Sequence, residues 1–149
     1  MNALNKLKDG YAALGELIAE LETQPASRII EIQARTIELR AGDFNVGTIL
    51  KEDGTRYYDL IGLEVGLESA TWDEAMEFAK KHGAQLGDRR DLALARTNAQ
   101  HKYQDDWHWT NEQLVSGSGY AWAQGFLNGH QAHYHKDGQF RVRLFRRVY

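Results

Sequence analysis

Trp107-His108-Trp109-Thr110, Gly119-Tyr120-Ala121-Trp122, Gly125-Phe126-Leu127-Asn128-Gly129 and Phe140-Arg141-Val142-Arg143-Leu144-Phe145-Arg146-Arg147 all lie within residues 106–148. Their alternation decides the fold class. In a strand, residues two apart share a face. Tyr120, Trp122, Gln124 and Phe126 then line one side, with Ala121, Ala123 and Gly125 on the other. Trp107 and Trp109 share a face, as do Phe140, Val142 and Leu144. Ser116-Gly117-Ser118-Gly119, Asn128-Gly129 and Lys136-Asp137-Gly138 separate the runs, and these are turn-forming residues. The pattern predicts an antiparallel sheet of three or four strands with aromatic rungs, and Asn128-Gly129 is its sharpest hairpin signal. The competing expectation is that every one of these aromatics is core, since large aromatics dominate core energetics.

Working outward, residues 44–50 alternate through Phe44, Val46, Thr48 and Leu50. A turn at Glu52-Asp53-Gly54-Thr55 and a return over 56–63 make a hairpin. Thr71 and Glu74 have capping-box spacing ahead of a helix whose buried face is Trp72, Ala75, Met76 and Ala79, with Gly83 as the residue beyond its end. Asp88 and Asp91 repeat the arrangement for a second helix, with Leu92, Ala95 and Ala99 facing inward. Arg89 and Arg90 in its first turn oppose the helix dipole, which calls for a carboxylate elsewhere. Together these elements predict an α+β domain over 44–149.

Residues 2–23 are helical by period. Leu4, Leu7, Tyr11, Leu14, Ile18 and Leu21 are spaced 3, 4, 3, 4, 3, a heptad seam. Gly10 and Gly15 each cost about 1 kcal/mol against alanine, so the helix is marginal alone and its seam needs a partner. Either copies of the chain pair as a homodimer or homotrimer, or the stripe lies on the chain's own sheet. Pro25 ends this helix, with Gln24 pushed out of the helical region. The strict 3-4 spacing favours pairing of copies, so residues 1–27 are expected to serve as an oligomerisation segment. Residues 28–43 form a linker or strand, where Ile30, Ile32 and Ala34 alternate and Ile37 and Leu39 follow with the phase slipped by one. A bulged strand or a short helix fits, and β-branched content favours the strand.

Composition narrows the chemistry. The 149 residues carry a net charge of −3, no cysteine and one proline. That is too little charge for a nucleic-acid binder. Lack of cysteine excludes disulfides, thiolate zinc sites and cysteine nucleophiles. No apolar run approaches a membrane span, and no secretory signal opens the chain, so cytoplasmic synthesis is expected, with lysis or a virion as the route outward.

The run Thr71-Trp72-Asp73-Glu74-Ala75, the stretch from Leu86 to Leu92, Trp107-His108-Trp109-Thr110, Tyr120-Ala121-Trp122 and Arg141-Val142-Arg143 together resemble a domain family of unknown function. It is the Lcl C-terminal-like family of bacteria and phages, which also ends some collagen-like adhesins. Its usual pattern is T-W-x-x-A, L-P-T-x-x-E-L, W-Y-W-(T/S)-S-E, Y-A-W and R-x-R-x-V-R. The resemblance covers residues 57–148. It implies a C-type-lectin-like fold, shared with formylglycine-generating enzymes, and ligand contacts in the loops between the last strands. Two departures stand out: L-P-T is Leu86-Gly87-Asp88 here, and the cysteines of many relatives are missing. Val65 replaces the tryptophan of a G-L-M-W step at Ile61-Gly62-Leu63-Glu64-Val65.

Candidate chemistry is sparse. His130, His133 and His135 lie close in sequence, with His133 and His135 on one strand face, but no cysteine or well-placed carboxylate joins them, and His101 and His108 are remote. No metal is expected. Calcium of the sugar-binding lectin kind needs clustered oxygens, and Asn111 and Glu112 alone offer them. Ser116 and Ser118 lack a nucleophile elbow and base, Asp105 and Asp106 point apart, and Arg141, Arg143, Arg146 and Arg147 are expected to be solvated or paired. A non-catalytic binding module without cofactor remains, with neither nucleic acid nor membrane as partner. Its expected contact residues are Trp107, His108, Trp109, Asn111, Tyr120, Trp122, Asn128, His130, His133, Tyr134 and His135, a mix of rigid aromatics and adaptable polar groups. The preferred reading is a phage- or prophage-derived oligomer that presents this surface to a carbohydrate or protein. The alternative is a cytoplasmic mobile-element protein that binds and modulates a host protein.

Overall fold

The computed structural model describes residues 2–23, 27–32 and 34–149. The expected helix end at Gln24-Pro25 lies outside them. The chain divides into two units, Met1–Glu31 and Ile32–Tyr149.

The first unit is built on α1, Ala3–Thr23, opened by Asn2, whose Oδ1 accepts from the Asn5 amide at 2.9 Å. All six seam residues are exposed, from 47% at Ile18 to 69% at Tyr11. The described residues of 28–40 hold no strand or helix, which corrects the strand expectation. Arginine side chains do what a strand ladder would have done. Arg146 donates to the Glu38 carbonyl at 3.1 Å and to Asp43 at 3.0 Å, and Arg35 donates to the main-chain oxygens of Val148 and Tyr149. Within the second unit, the Glu38 carbonyl thus meets a side chain and Arg35 meets main-chain oxygens at the chain's end, without extending the sheet.

In that second unit, β1 (Phe44–Leu50) and β2 (Arg56–Ala70) form the expected hairpin, although β2 runs seven residues past 63. Then come α2 (Trp72–Lys81), α3 (Arg89–Ala99), β3 (Trp107–Gln113), β4 (Tyr120–Gly125), β5 (Gln131–His135) and β6 (Phe140–Val148). One six-stranded sheet has the order β1-β2-β6-β3-β4-β5. It is mixed: β6 inserts between β2 and β3, antiparallel to the first and parallel to the second, with His108 opposite Arg141. The all-antiparallel expectation fails there because the closing strand returns to the middle of the sheet instead of its edge. The turn at Asn128-Gly129 exists, with Gly129 at φ +81° and Asn128 Oδ1 accepting from the His130 amide at 3.1 Å. It is wider than a two-residue hairpin, because Phe126 leaves the strand to enter the core.

Both helices are capped at their N-termini, α3 by the full expected box and α2 by the Thr71 half of it. Thr71 accepts from the Glu74 amide, and Asp88 and Asp91 form a reciprocal capping box. They serve different cores. Trp72, Ala75 and Ala79 of α2 pack with Trp109, Ala121, Ala123, Val142 and Leu144. Leu92, Ala95 and Ala99 of α3 pack with Val46, Tyr58, Leu60, Phe126 and Phe145. Leu144 and Phe145 are adjacent and contribute to opposite cores, so the sheet lies between the two helices. This is an α+β architecture. Among the described residues no helix is long and apolar enough to cross a membrane.

Candidate functional site

The sheet's alternation sorts the aromatics. On the α2 side, small residues make room for large ones: Trp109 sits opposite Ala123, which pairs in turn with Ala132. Trp109 is fully buried, donates its indole N–H to the Ala70 carbonyl at 2.9 Å and meets Phe140 edge-on at 4.7 Å. Trp107 and Tyr134 are half-buried on the same side, 5.0 Å apart. Trp109 is therefore core, and Trp107 and Tyr134 border that core.

His108 faces the other way and is also enclosed, 1% exposed between Tyr103 and Phe126. Its Nδ1–H donates to the Asp106 carbonyl at 3.0 Å. Burial pushes its pKa down to about 4. Here the folded pKa is depressed below the ordinary 6.5, so the unfolded chain binds the proton more readily. The contribution of His108 to stability is intact above pH 6.5 and is lost as pH falls from 6.5 towards 4, by about 3 kcal/mol. Denaturant unfolding at stepped pH should show this decline, and His108→Gln should flatten it. An unchanged slope in the variant would assign the decline to other groups.

The same outward face continues along β4 and β5 to an exposed strip. Tyr120 pairs with His135 and Trp122 with His133 across the strands. Tyr120, His133 and His135 are exposed and Trp122 is half-buried. The imidazoles stand edge-on to the rings: His133 lies 5.4 Å from Trp122 and 6.0 Å from Tyr120, and His135 lies 5.4 Å from Tyr120. Arg89 closes one end. Its guanidinium sits 4.2 Å over the Trp122 ring, and its Nε donates to Glu112 at 2.9 Å. Glu112 also accepts from the Arg89 amide at 2.9 Å, and Gln131 donates to the Arg89 carbonyl at 2.9 Å. Glu112 is the carboxylate that the anti-dipole placement of Arg89 called for; Arg90 finds Asp88. This frame fixes a cation, a carboxylate and four rings in one row.

Of the expected contact residues, Tyr120, Trp122, His133 and His135 come together, and Asn111 lies on β3 beside Glu112, its backbone N–H donating to the Gly87 carbonyl. Asn128 and His130 are exposed at the β4–β5 turn, beyond Gln124 and Gln131. Arg89 and Gln131 were not among the expected residues. The misplaced charge of Arg89 was the one signal that could have found it. Among the described residues, no group of three or more histidines and carboxylates is placed to hold a metal ion. His135 Nδ1 instead accepts from the Asp137 amide at 3.1 Å.

Apart from this strip, a polar depression of about 620 Å³ lies at the C-terminal end of α3, lined by Thr97, Asn98, His101, Tyr103, Gln104 and Asp105 among others. It is open and holds no clustered rings.

No protein-family model and no curated protein matches this sequence. One local feature bears on the family resemblance. Gly87 adopts φ +79°, and a Cβ there would meet Asp91, Leu92 and Phe145 at 3.0–3.1 Å. A proline, fixed near φ −65°, cannot take this conformation. The turn at Leu86-Gly87-Asp88 is thus built differently from an L-P-T turn.

Proposed function

We propose that this protein is a non-catalytic binding module with a C-type-lectin-like domain, phage- or prophage-derived, that captures a carbohydrate or protein ligand as an oligomer. One observation carries the reading: Tyr120, Trp122, His133 and His135 form an exposed row on β4 and β5, framed by the Arg89–Glu112 pair. Rings held by cross-strand neighbours lose little entropy on contact, and the imidazoles and carboxylate add hydrogen bonds. A sugar ring stacks on an exposed tyrosine face; a protein partner would use the same anchors. In an oligomer the row is repeated, so weak single contacts combine.

The test is a glycan array run beside a pull-down from bacterial extract, using the full chain. Tyr120→Ala and His133→Ala should weaken capture of whichever ligand is found by about tenfold or more, with the unfolding midpoint nearly unchanged. Capture that survives both substitutions would refute this surface. Recovery of a host protein with no glycan signal would favour modulation of that protein.

A further inference from the structure

The geometry points to a second copy of this chain as the occupant of the α1 seam, and to a two-stranded, antiparallel arrangement. This deepens the oligomeric part of the function proposed above and rests on it; the Tyr120 row is independent of it.

The charges of α1 carry the orientation. Lys6, Lys8 and Asp9 lie in its first half, and Glu16, Glu20 and Glu22 lie in its second. No acidic residue stands in the first turn and no basic residue in the last. Cations near the N-terminus and anions near the C-terminus both oppose the helix dipole. In a single helix this arrangement opposes the dipole at both ends. A parallel in-register pair would also set lysine beside lysine and glutamate beside glutamate. An antiparallel pair sets the basic end against the acidic end of the second copy, and aligns the two dipoles favourably.

The seam fits that orientation. Taking Leu4, Tyr11 and Ile18 as a positions and Leu7, Leu14 and Leu21 as d positions, antiparallel layers join Leu4 to Leu21, Leu7 to Ile18 and Tyr11 to Leu14 of the second copy. Lys8 and Glu22 then both occupy e positions and face each other, twice by symmetry. The glycines also gain a purpose. Gly10 and Gly15 fall at g and e, and no atom lies within 4 Å of where a Cβ would stand on either. They flank the central Tyr11 layers, where missing side chains leave room for a bulky phenol ring between the helices.

Because the chain has no cysteine, introduced ones report the orientation cleanly. Antiparallel strands keep the two copies of residue 4 roughly 26 Å apart at 1.5 Å per residue, beyond disulfide reach of about 7 Å. The full chain should weigh 34 kDa by light scattering, twice 17.0 kDa. Under mild oxidation Leu4→Cys with Leu21→Cys should give a covalent dimer, and Leu4→Cys alone should not. Lys8→Glu or Glu22→Lys singly should raise the dimer dissociation constant roughly threefold to tenfold, and the two together should restore it. Crosslinking by Leu4→Cys alone, a trimer mass, or charge changes that fail to rescue each other would overturn the antiparallel pair. A monomeric full chain would overturn it together with the oligomeric reading. Loss of ligand capture in Tyr120→Ala would remain a separate result, since it is measured on each chain's own strip.

Discussion

Replacing Asp91 with alanine is expected to destabilise the Ile32–Tyr149 unit by about 3–5 kcal/mol, the cost of breaking one side of a buried ion pair. Asp91 is completely buried at the start of α3. It accepts from the Tyr58 hydroxyl at 2.6 Å, from the Asp88 amide at 3.0 Å, and from Arg147 through both Nε and Nη2. Arg147 also lies 4.3 Å over the Tyr58 ring and 3.2 Å from Asp88. Burial pushes the Asp88 carboxyl up, but the Asp91 amide, Arg90 and Arg147 outweigh it and hold it below its ordinary range. Burial, reinforced by the bond to Asp91, pushes the Tyr58 phenol well above its own. Losing the Asp91 carboxylate takes the acceptor from a buried hydroxyl and a helix-cap amide and removes one of the two carboxylates beside Arg147, which is why the expected loss is a large share of a domain's 5–15 kcal/mol. Chemical denaturation measures it. A companion triple variant, Tyr58→Phe with Asp91→Leu and Arg147→Met, should be more stable than Asp91→Ala alone, because the hydroxyl and the guanidinium go with the carboxylate and only the Asp88 amide loses its acceptor. If the triple variant lost the sum of the single losses, the three groups would not be acting as a unit.

Trp109→Ala should cost a similar amount, about 3–5 kcal/mol, and lower the melting temperature by roughly 10–20 °C. The indole fills the α2-side core between Trp72, Leu144 and the small Ala121 and Ala123. Its removal leaves a cavity and takes the indole donor from the Ala70 carbonyl. Tyr120→Ala, two residues from Trp122 along β4 and exposed by 45%, should change the melting temperature little. The pair of variants separates the two roles that alternation assigns to aromatic residues of one sheet. Equal melting temperatures would refute that division.

Local signals in the sequence were sufficient for the three α-helices and the N-caps of α2 and α3, but they stopped β2 short and read a strand into 28–40. Thr71, Asp88 and Asp91 act through neighbours three residues away, and strand alternation has a period of two, so both are legible without knowledge of the rest of the chain. The heptad seam of α1 is equally local. The exposed row was half legible: Tyr120 and Trp122 share a face by parity, as do His133 and His135. Parity does not say which face is covered. Trp109 and Trp122 lie on strands whose alternation looks alike, yet one is buried against α2 and the other lies under Arg89.

What the tertiary structure alone decided is long-range. It placed β6 between β2 and β3, brought Arg147 to Asp91 across 56 residues, and brought Arg89 to Glu112 across 23. It also left the described residues of 28–40 without a strand of their own, with Arg35 and Arg146 making their contacts to the rest of the unit. Short-range periodicity is written by steric and hydrogen-bond rules that act over a few residues. Strand order and charge pairing depend on which distant surfaces bury together, and that is settled only when the whole chain packs.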